Sequence, residues 1–208
     1  MASSILKLYG VPLSQPVRQV AWALTIKGVP FTLQLVSPGA KGKGGTRDSS
    51  FPHPGRTVPI LEDGGFVLGE GNAILCYLAN KHQWNDLYPA DATSRGQVDW
   101  YLHWHHQNIR PMTKAVFVKA ARPDIAPSED VQKTSLTVFN KAVAMLDEHI
   151  LSASKYLVSD EFTVADLACY CELGQFGPDY GNVYDFSRFP NVARWMTDMK
   201  DVPFHDEM

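Results

Sequence analysis

With 208 residues, and 19 Lys and Arg against 22 Asp and Glu for a formal net charge of −3, the chain is long enough to bury a core of its own. It lacks the basic excess that phosphate neutralisation requires, which excludes nucleic acid as a main partner. No apolar run reaches the roughly 18–20 residues that span a bilayer, so no membrane partner is expected. Met1-Ala2-Ser3-Ser4 has neither the basic start nor the apolar stretch of a signal peptide. The three cysteines, Cys76, Cys169 and Cys171, form no C-x-x-C pair. A reducing, cytoplasmic setting is expected, with neither structural disulfides nor a zinc site.

Ile5–Tyr9 alternates as a strand does, and Gly10-Val11-Pro12 breaks it. Between Gln15 and Lys27 the apolar Val17, Val20, Ala21 and Leu24 fall at i, i+3, i+4 and i+7, on one helical face. Ser14 or Gln15 caps that helix, Pro16 suits its first turn and Gly28 its exit. Phe31–Val36 predicts a second strand. Ser37–Pro54, with four Gly and three Pro and no periodicity, predicts a surface loop. Val58–Leu61 and Phe66–Leu68 read as a hairpin around Glu62-Asp63-Gly64-Gly65, and a helix follows from about Gly71 to Lys81.

One strand pair is thus joined by a helix and the other by a tight turn, which predicts a mixed sheet. Beyond Gln83–Ala92 the signals are helical, over about 93–120, 129–151, 163–175 and 190–200. The expected fold class is α/β plus all-α: residues 1–82 form a small α/β domain, 83–92 a linker and 93–208 an all-helical domain. Thr163 with Asp166 three residues on predicts a capping box, with Phe162 stapling onto Leu167. That is a signal of fold and carries no chemistry.

Three stretches line up with a known family. Leu8-Tyr9 … Leu13-Ser14-Gln15-Pro16-Val17-Arg18 closes the first strand and opens the first helix. His53-Pro54-Gly55-Arg56-Thr57-Val58-Pro59-Ile60-Leu61 opens the third strand. Leu68-Gly69-Glu70-Gly71-Asn72-Ala73-Ile74-Leu75-Cys76-Tyr77-Leu78 opens the helix after the hairpin. With Leu87-Tyr88-Pro89 and the Thr163 cap, the whole chain resembles a cytosolic glutathione S-transferase of the theta/phi-like, serine-using kind. The resemblance implies a thioredoxin-like N-terminal domain that binds glutathione as cosubstrate. It also implies a helical domain lining the pocket of an apolar electrophile, a homodimer, and no metal.

A serine ahead of a helix is ordinarily just a cap. The resemblance instead makes Ser14 catalytic: its hydroxyl donates to the glutathione sulfur and favours the thiolate, aided by the positive end of the helix that follows. Tyr9, at the end of the first strand, is its rival, since a phenol also donates to a thiolate. By the same resemblance Pro59 is cis and presents the backbone of Val58 to the cysteinyl part of glutathione; Thr57 flanks it where relatives often carry Gln or Lys. Glu70 would take the γ-glutamyl ammonium. Gly71 stands where the family has Ser, so it keeps an N–H for the γ-glutamyl carboxylate but no hydroxyl. Lys43, with Lys41 near it, is a candidate for the glycyl carboxylate.

Val11, Leu13, His105, His106, Met112 and Phe117 are candidate walls of the electrophile pocket. His103 and His106 share a helix face with Asp99, but no fourth ligand is apparent and the surrounding aromatics read as packing, so no metal is assigned. The expected function is transfer of glutathione to apolar electrophiles, with reduction of organic hydroperoxides drawing on the same parts. The alternative is a non-catalytic member of the fold that carries ligands or docks proteins; Gly71 and Thr57 favour it, while Ser14, Pro59 and Glu70 oppose it.

Overall fold

A computed structural model describes residues 5–117 and 126–207, without the side chains of Lys114 and Phe117. The chain separates into two compact units, one running to Asn85 and taking in the segment from Pro203 onwards, the other spanning Asp86–Val202. The tail returns because Trp22, buried in the first unit, donates its indole N–H to the Pro203 carbonyl at 2.7 Å and meets His205 edge to face.

In the first unit β1 (Leu6–Gly10), α1 (Gln15–Ile26), β2 (Phe31–Leu35), β3 (Ile60–Asp63), β4 (Phe66–Gly69) and α2 (Gly71–His82) follow one another. The sheet order is β2-β1-β3-β4. β1 runs parallel to β2 and antiparallel to β3, and β3 antiparallel to β4, the mixed sheet that the connections predict. Gly64 and Gly65 supply the positive φ values (58° and 93°) of the two-residue turn between β3 and β4.

Alternation along β1 sorts its side chains. Leu6 and Leu8 are buried on one face, where Gly10 lies so close to α1 that a Cβ there would come within 2.4 Å of Val17. On the other face Tyr9, like Val58 and Val67, packs against a cluster of Val36, Phe51 and Ile60. The segment between β2 and β3 forms the loop expected from its composition. It is tied by buried Thr46, whose hydroxyl accepts from the Gly39 N–H at 2.9 Å.

In the second unit α3 (Ala92–Asn108) is capped by Asp91, which accepts from the Ser94 N–H at 2.9 Å. The single helix expected over 93–120 ends at Asn108, three residues before Pro111, and a short π-type turn follows over Thr113–Phe117. α4 (Glu129–Met145) passes into a second π-type turn, Leu146–Ile150. α5 (Val164–Gly174) opens on the capping box of Thr163 and Asp166, and α6 (Pro190–Asp198) closes the set. Asp166 does more than cap. It is fully buried and accepts from the N–H groups of Leu157 and Thr163, each at 2.9 Å, and from the Trp195 indole at 3.0 Å, which ties α5 to α6. Among the described residues, no helix is long and apolar enough to cross a membrane.

Candidate active site

The sheet register determines what can meet in the first unit. Tyr9 pairs with Ile60, the first residue of β3, and Ile60 pairs with Gly69, the last of β4. The exit of β1, the entrance of β3 and the exit of β4 therefore share one end of the sheet. Ser14 follows the first, Val58 and Pro59 precede the second, and Glu70 and Gly71 follow the third.

Ser14 holds the N-cap position of α1 with extended backbone (φ −79°, ψ 117°), but its side chain makes no capping hydrogen bond. Its carbonyl accepts from Val17 and Arg18, each at 3.0 Å, and its N–H donates to Val11 at 3.0 Å. Arg18, largely buried, reaches back toward the carbonyls of Pro12 and Leu13 at 3.5 and 3.4 Å. The backbone is thus fastened while the half-buried hydroxyl keeps its donor at the positive end of a 12-residue helix.

Tyr9 is differently placed. Its phenol donates to Glu62 Oε2 at 2.7 Å, and its ring meets Phe51 edge to face. Burial and this bond push its pKa up to about 12. Hydrogen bonds from Lys7 and Tyr9 hold the Glu62 carboxyl below its usual value.

The Val58–Pro59 peptide is cis. Pro59 is buried, Val58 half-buried and Thr57 exposed. Arg56, at φ 54°, donates to the carbonyls of Thr46 and Asp48 and so fastens this segment to the loop before it. Lys41 and Lys43 are both exposed on that loop.

Glu70 has φ 69°, in the left-handed region that a non-glycine residue rarely occupies. Such a conformation costs of order 1–3 kcal/mol and persists only where the surrounding structure holds it. Glu70 stands at the N-cap of α2 without a capping bond from its side chain, and its carboxylate is exposed. Gly71 behind it is buried. A carboxylate and the free N–H groups of a helix start, side by side, suit a zwitterionic amino-acid group, with the ammonium toward Glu70 and the carboxylate toward the helix.

The candidate electrophile-wall residues fare unequally. In the first unit Val11 is half-buried and Leu13 is 68% exposed. In the second, His106 is exposed, Met112 is buried, and the Phe117 side chain lies outside the described residues. His105, at 2% exposure, is a core residue of the helical unit, its Nδ1 lying 3.3 Å from the Tyr101 hydroxyl. Burial, with Arg110 and His106 nearby, pushes its pKa down to about 3, so it is neutral.

His105 borders a polar cluster that sequence reading missed. Glu172, 1% exposed, pairs with Arg110 at 2.8 Å and accepts from Thr113 and, at 3.2 Å, from Gln175. Among the described residues no group of three or more His, Cys, Asp or Glu could hold a metal.

Comparison with known proteins completes the description. Residues 8–86 match the model for the glutathione S-transferase N-terminal domain, and residues 109–203 that for the C-terminal domain. Glutathione S-transferase theta-3 of Mus musculus is 34% identical over 196 residues, covering 91% of this chain and 80% of the relative. The chain belongs to the glutathione S-transferase family. Glutathione S-transferase theta-2 of Rattus norvegicus is 37% identical over 175 residues, covering 82% of this chain and 71% of that one. Among solved transferases, human T1-1 in its apo form aligns with a TM-score of 0.81 at 29% identity, over 95% of this chain and 83% of that one. Human theta-2, solved in complex with glutathione and an unknown ligand, aligns with a TM-score of 0.79 at 29% identity, over 93% of this chain and 80% of that one. The fold is that of the family: a thioredoxin-like sheet-and-helix domain followed by a helical one.

Proposed function

We propose that this glutathione transferase binds glutathione at the end of the sheet where Ser14, Val58 and Glu70 converge. The observation that carries the reading is the uncapped Ser14 hydroxyl at the start of α1. In this reading the tripeptide lies with its γ-glutamyl ammonium on Glu70 and its γ-glutamyl carboxylate on the N–H groups at the start of α2. Its cysteinyl backbone pairs with that of Val58 ahead of Pro59, with Thr57 beside it, and Lys43 attracts the glycyl carboxylate.

The Ser14 hydroxyl then donates to the sulfur. A free thiol ionises near a pKa of about 8.5. Lowering that by about two units turns a minority thiolate into the majority form at neutral pH and corresponds to about 2.7 kcal/mol. The thiolate attacks the electrophilic carbon of an apolar substrate; a carbon–sulfur bond forms, the leaving group departs with the electron pair, and the thiol proton goes to solvent. Attack on an organic hydroperoxide uses the same thiolate. It releases the alcohol and leaves a sulfenic derivative, which a second glutathione converts to the disulfide and water.

The chain acts as a cytoplasmic homodimer in this reading, with Val11 and Leu13 of the first unit as candidate contacts for the electrophile. Steady-state assays with glutathione and a panel of aryl halides, alkyl halides and cumene hydroperoxide test the chemistry, and sedimentation equilibrium tests the dimer. Turnover that requires glutathione and collapses in Ser14→Ala supports the reading. Saturable glutathione binding with no turnover of any substrate overturns it in favour of a carrier.

A further inference from the structure

The structure gives Gly71 a reason that the absence of a hydroxyl does not. Gly71 is the first residue of α2 and is not among the residues with positive φ, so any L-residue could adopt its backbone. Space is what forbids one. A Cβ at position 71 would come within 2.8 Å of Gln19 Nε2, 2.9 Å of Pro16 Cβ and 3.0 Å of the Pro16 carbonyl oxygen. The proline ring and carbonyl belong to the first turn of α1 and do not yield easily. The Gln19 amide is 2% exposed and donates from Nε2 to Asn72 Oδ1 at 2.8 Å. Asn72 is itself buried, one residue into α2.

We infer that Gln19 and Gly71 are a matched pair, in which the Gln19 amide fills the volume of a side chain at 71 and, through Asn72, positions the first turn of α2. The inference rests on the glutathione reading above. The γ-glutamyl carboxylate is then met by backbone N–H groups held in place by the Gln19–Asn72 bond, and the family serine is excluded by packing. Gln19 is a positioning residue: it is buried behind the helix start and acts through Asn72 and the backbone of Gly71.

Restoring the family residue should therefore do harm. Gly71→Ser should lower Tm by roughly 3–10 °C, the usual consequence of overpacking, and weaken glutathione binding by roughly 5- to 50-fold. In a Gln19→Ala background the same serine should cost less on both counts, because the amide that crowds it is gone and only Pro16 remains. Gln19→Met, which keeps the volume but loses the donor, should raise KM for glutathione more than it lowers kcat while still rejecting the serine.

Thermal unfolding, calorimetric titration with reduced glutathione and steady-state kinetics are measured on wild type, both single variants at 19, Gly71→Ser and the two double variants. Tighter glutathione binding by Gly71→Ser at unchanged Tm overturns the inference, as does an equal cost of the serine in all three backgrounds. If wild type itself takes up no glutathione, the functional reading falls. The Tm comparison still decides whether 19 and 71 are sterically paired.

Discussion

The phenol of Tyr9 is bonded to Glu62 across 2.7 Å. Lys7, two residues earlier on the same face of β1, holds the other carboxylate oxygen at 2.8 Å. The hydroxyl best placed by sequence to compete with Ser14 is therefore committed to a partner within the sheet, and its proton is held more tightly than in free tyrosine. This arrangement favours the proposal that Ser14 is the donor for the thiolate.

Tyr9→Phe should accordingly keep kcat/KM within about threefold of wild type, at a cost of about 1 kcal/mol in stability for the lost bond. Ser14→Ala removes a hydrogen bond to a charged sulfur and should lower kcat/KM by roughly 10- to 100-fold. Steady-state kinetics of the two variants side by side, with chemical denaturation for stability, check both expectations. A larger loss at Tyr9 than at Ser14 reverses the assignment.

Glu70 separates stability from binding. Glu70→Gly relieves the positive φ, so Tm should hold or rise despite the entropic cost of glycine. If Glu70 holds the γ-glutamyl ammonium as proposed, the same variant should lower glutathione affinity at least about tenfold. Glu70→Gln keeps the backbone strain and should lose affinity without gaining stability. Calorimetry and thermal melts on the two variants read these effects independently.

The Glu172 cluster predicts an asymmetric response to mutation. Arg110→Ala strips a buried carboxylate of the cation paired with it at 2.8 Å, leaving the Thr113 and Gln175 hydrogen bonds, which should cost roughly 2–4 kcal/mol. For a chain of this size that is a drop in Tm of roughly 4–16 °C. Replacing both partners, as Arg110→Met with Glu172→Gln, should recover most of the loss. Denaturant melts of the single and double variants give the coupling directly.

His105 adds a pH dependence whose sign follows from its burial. The folded chain holds it neutral, down to a pKa of about 3, whereas the unfolded chain protonates it near pH 6.5. Between those values the unfolded state binds the extra proton, so His105 costs the fold stability progressively as pH falls from about 6.5 toward about 3. Glu172 Oε2 lies 3.9 Å from the ring but is already paired with Arg110 at 2.8 Å, and His106 also adds positive charge nearby. His105→Gln should flatten this part of the profile. Urea unfolding of both proteins at about pH 7.5, 5.5 and 4 measures the difference in slope.

What could be read from sequence was local. Period-two alternation along β1, the glycine pair of the β3–β4 turn and the Thr163–Asp166 box each depend on residues within a few positions of one another, and all appear in the fold. Even the end of α3 ahead of Pro111 has a local cause, since a proline cannot continue the helical bonding. The missed features join distant positions. Tyr9 and Glu62 are 53 apart, Gln19 and Asn72 also 53, and Arg110 and Glu172 62. His105 stands at i+7 from Val98, on the stripe with Tyr101 and Leu102 that α3 buries; the period was there to read, but the run of aromatic and histidine residues around it hides which histidine faces inward. Gly71 looked like a simple loss because sequence shows the missing hydroxyl and not the amide that occupies its place.

If Ser14 makes glutathione a nucleophile as proposed, the ionisation of the bound thiol must show it. Ultraviolet difference absorbance of the thiolate, followed against pH with glutathione saturating the protein, gives that pKa for wild type and for Ser14→Ala. The midpoint should lie about two units below the free-thiol value of about 8.5 in wild type and return most of the way to it in the variant. The same midpoint in both proteins would contradict the proposal.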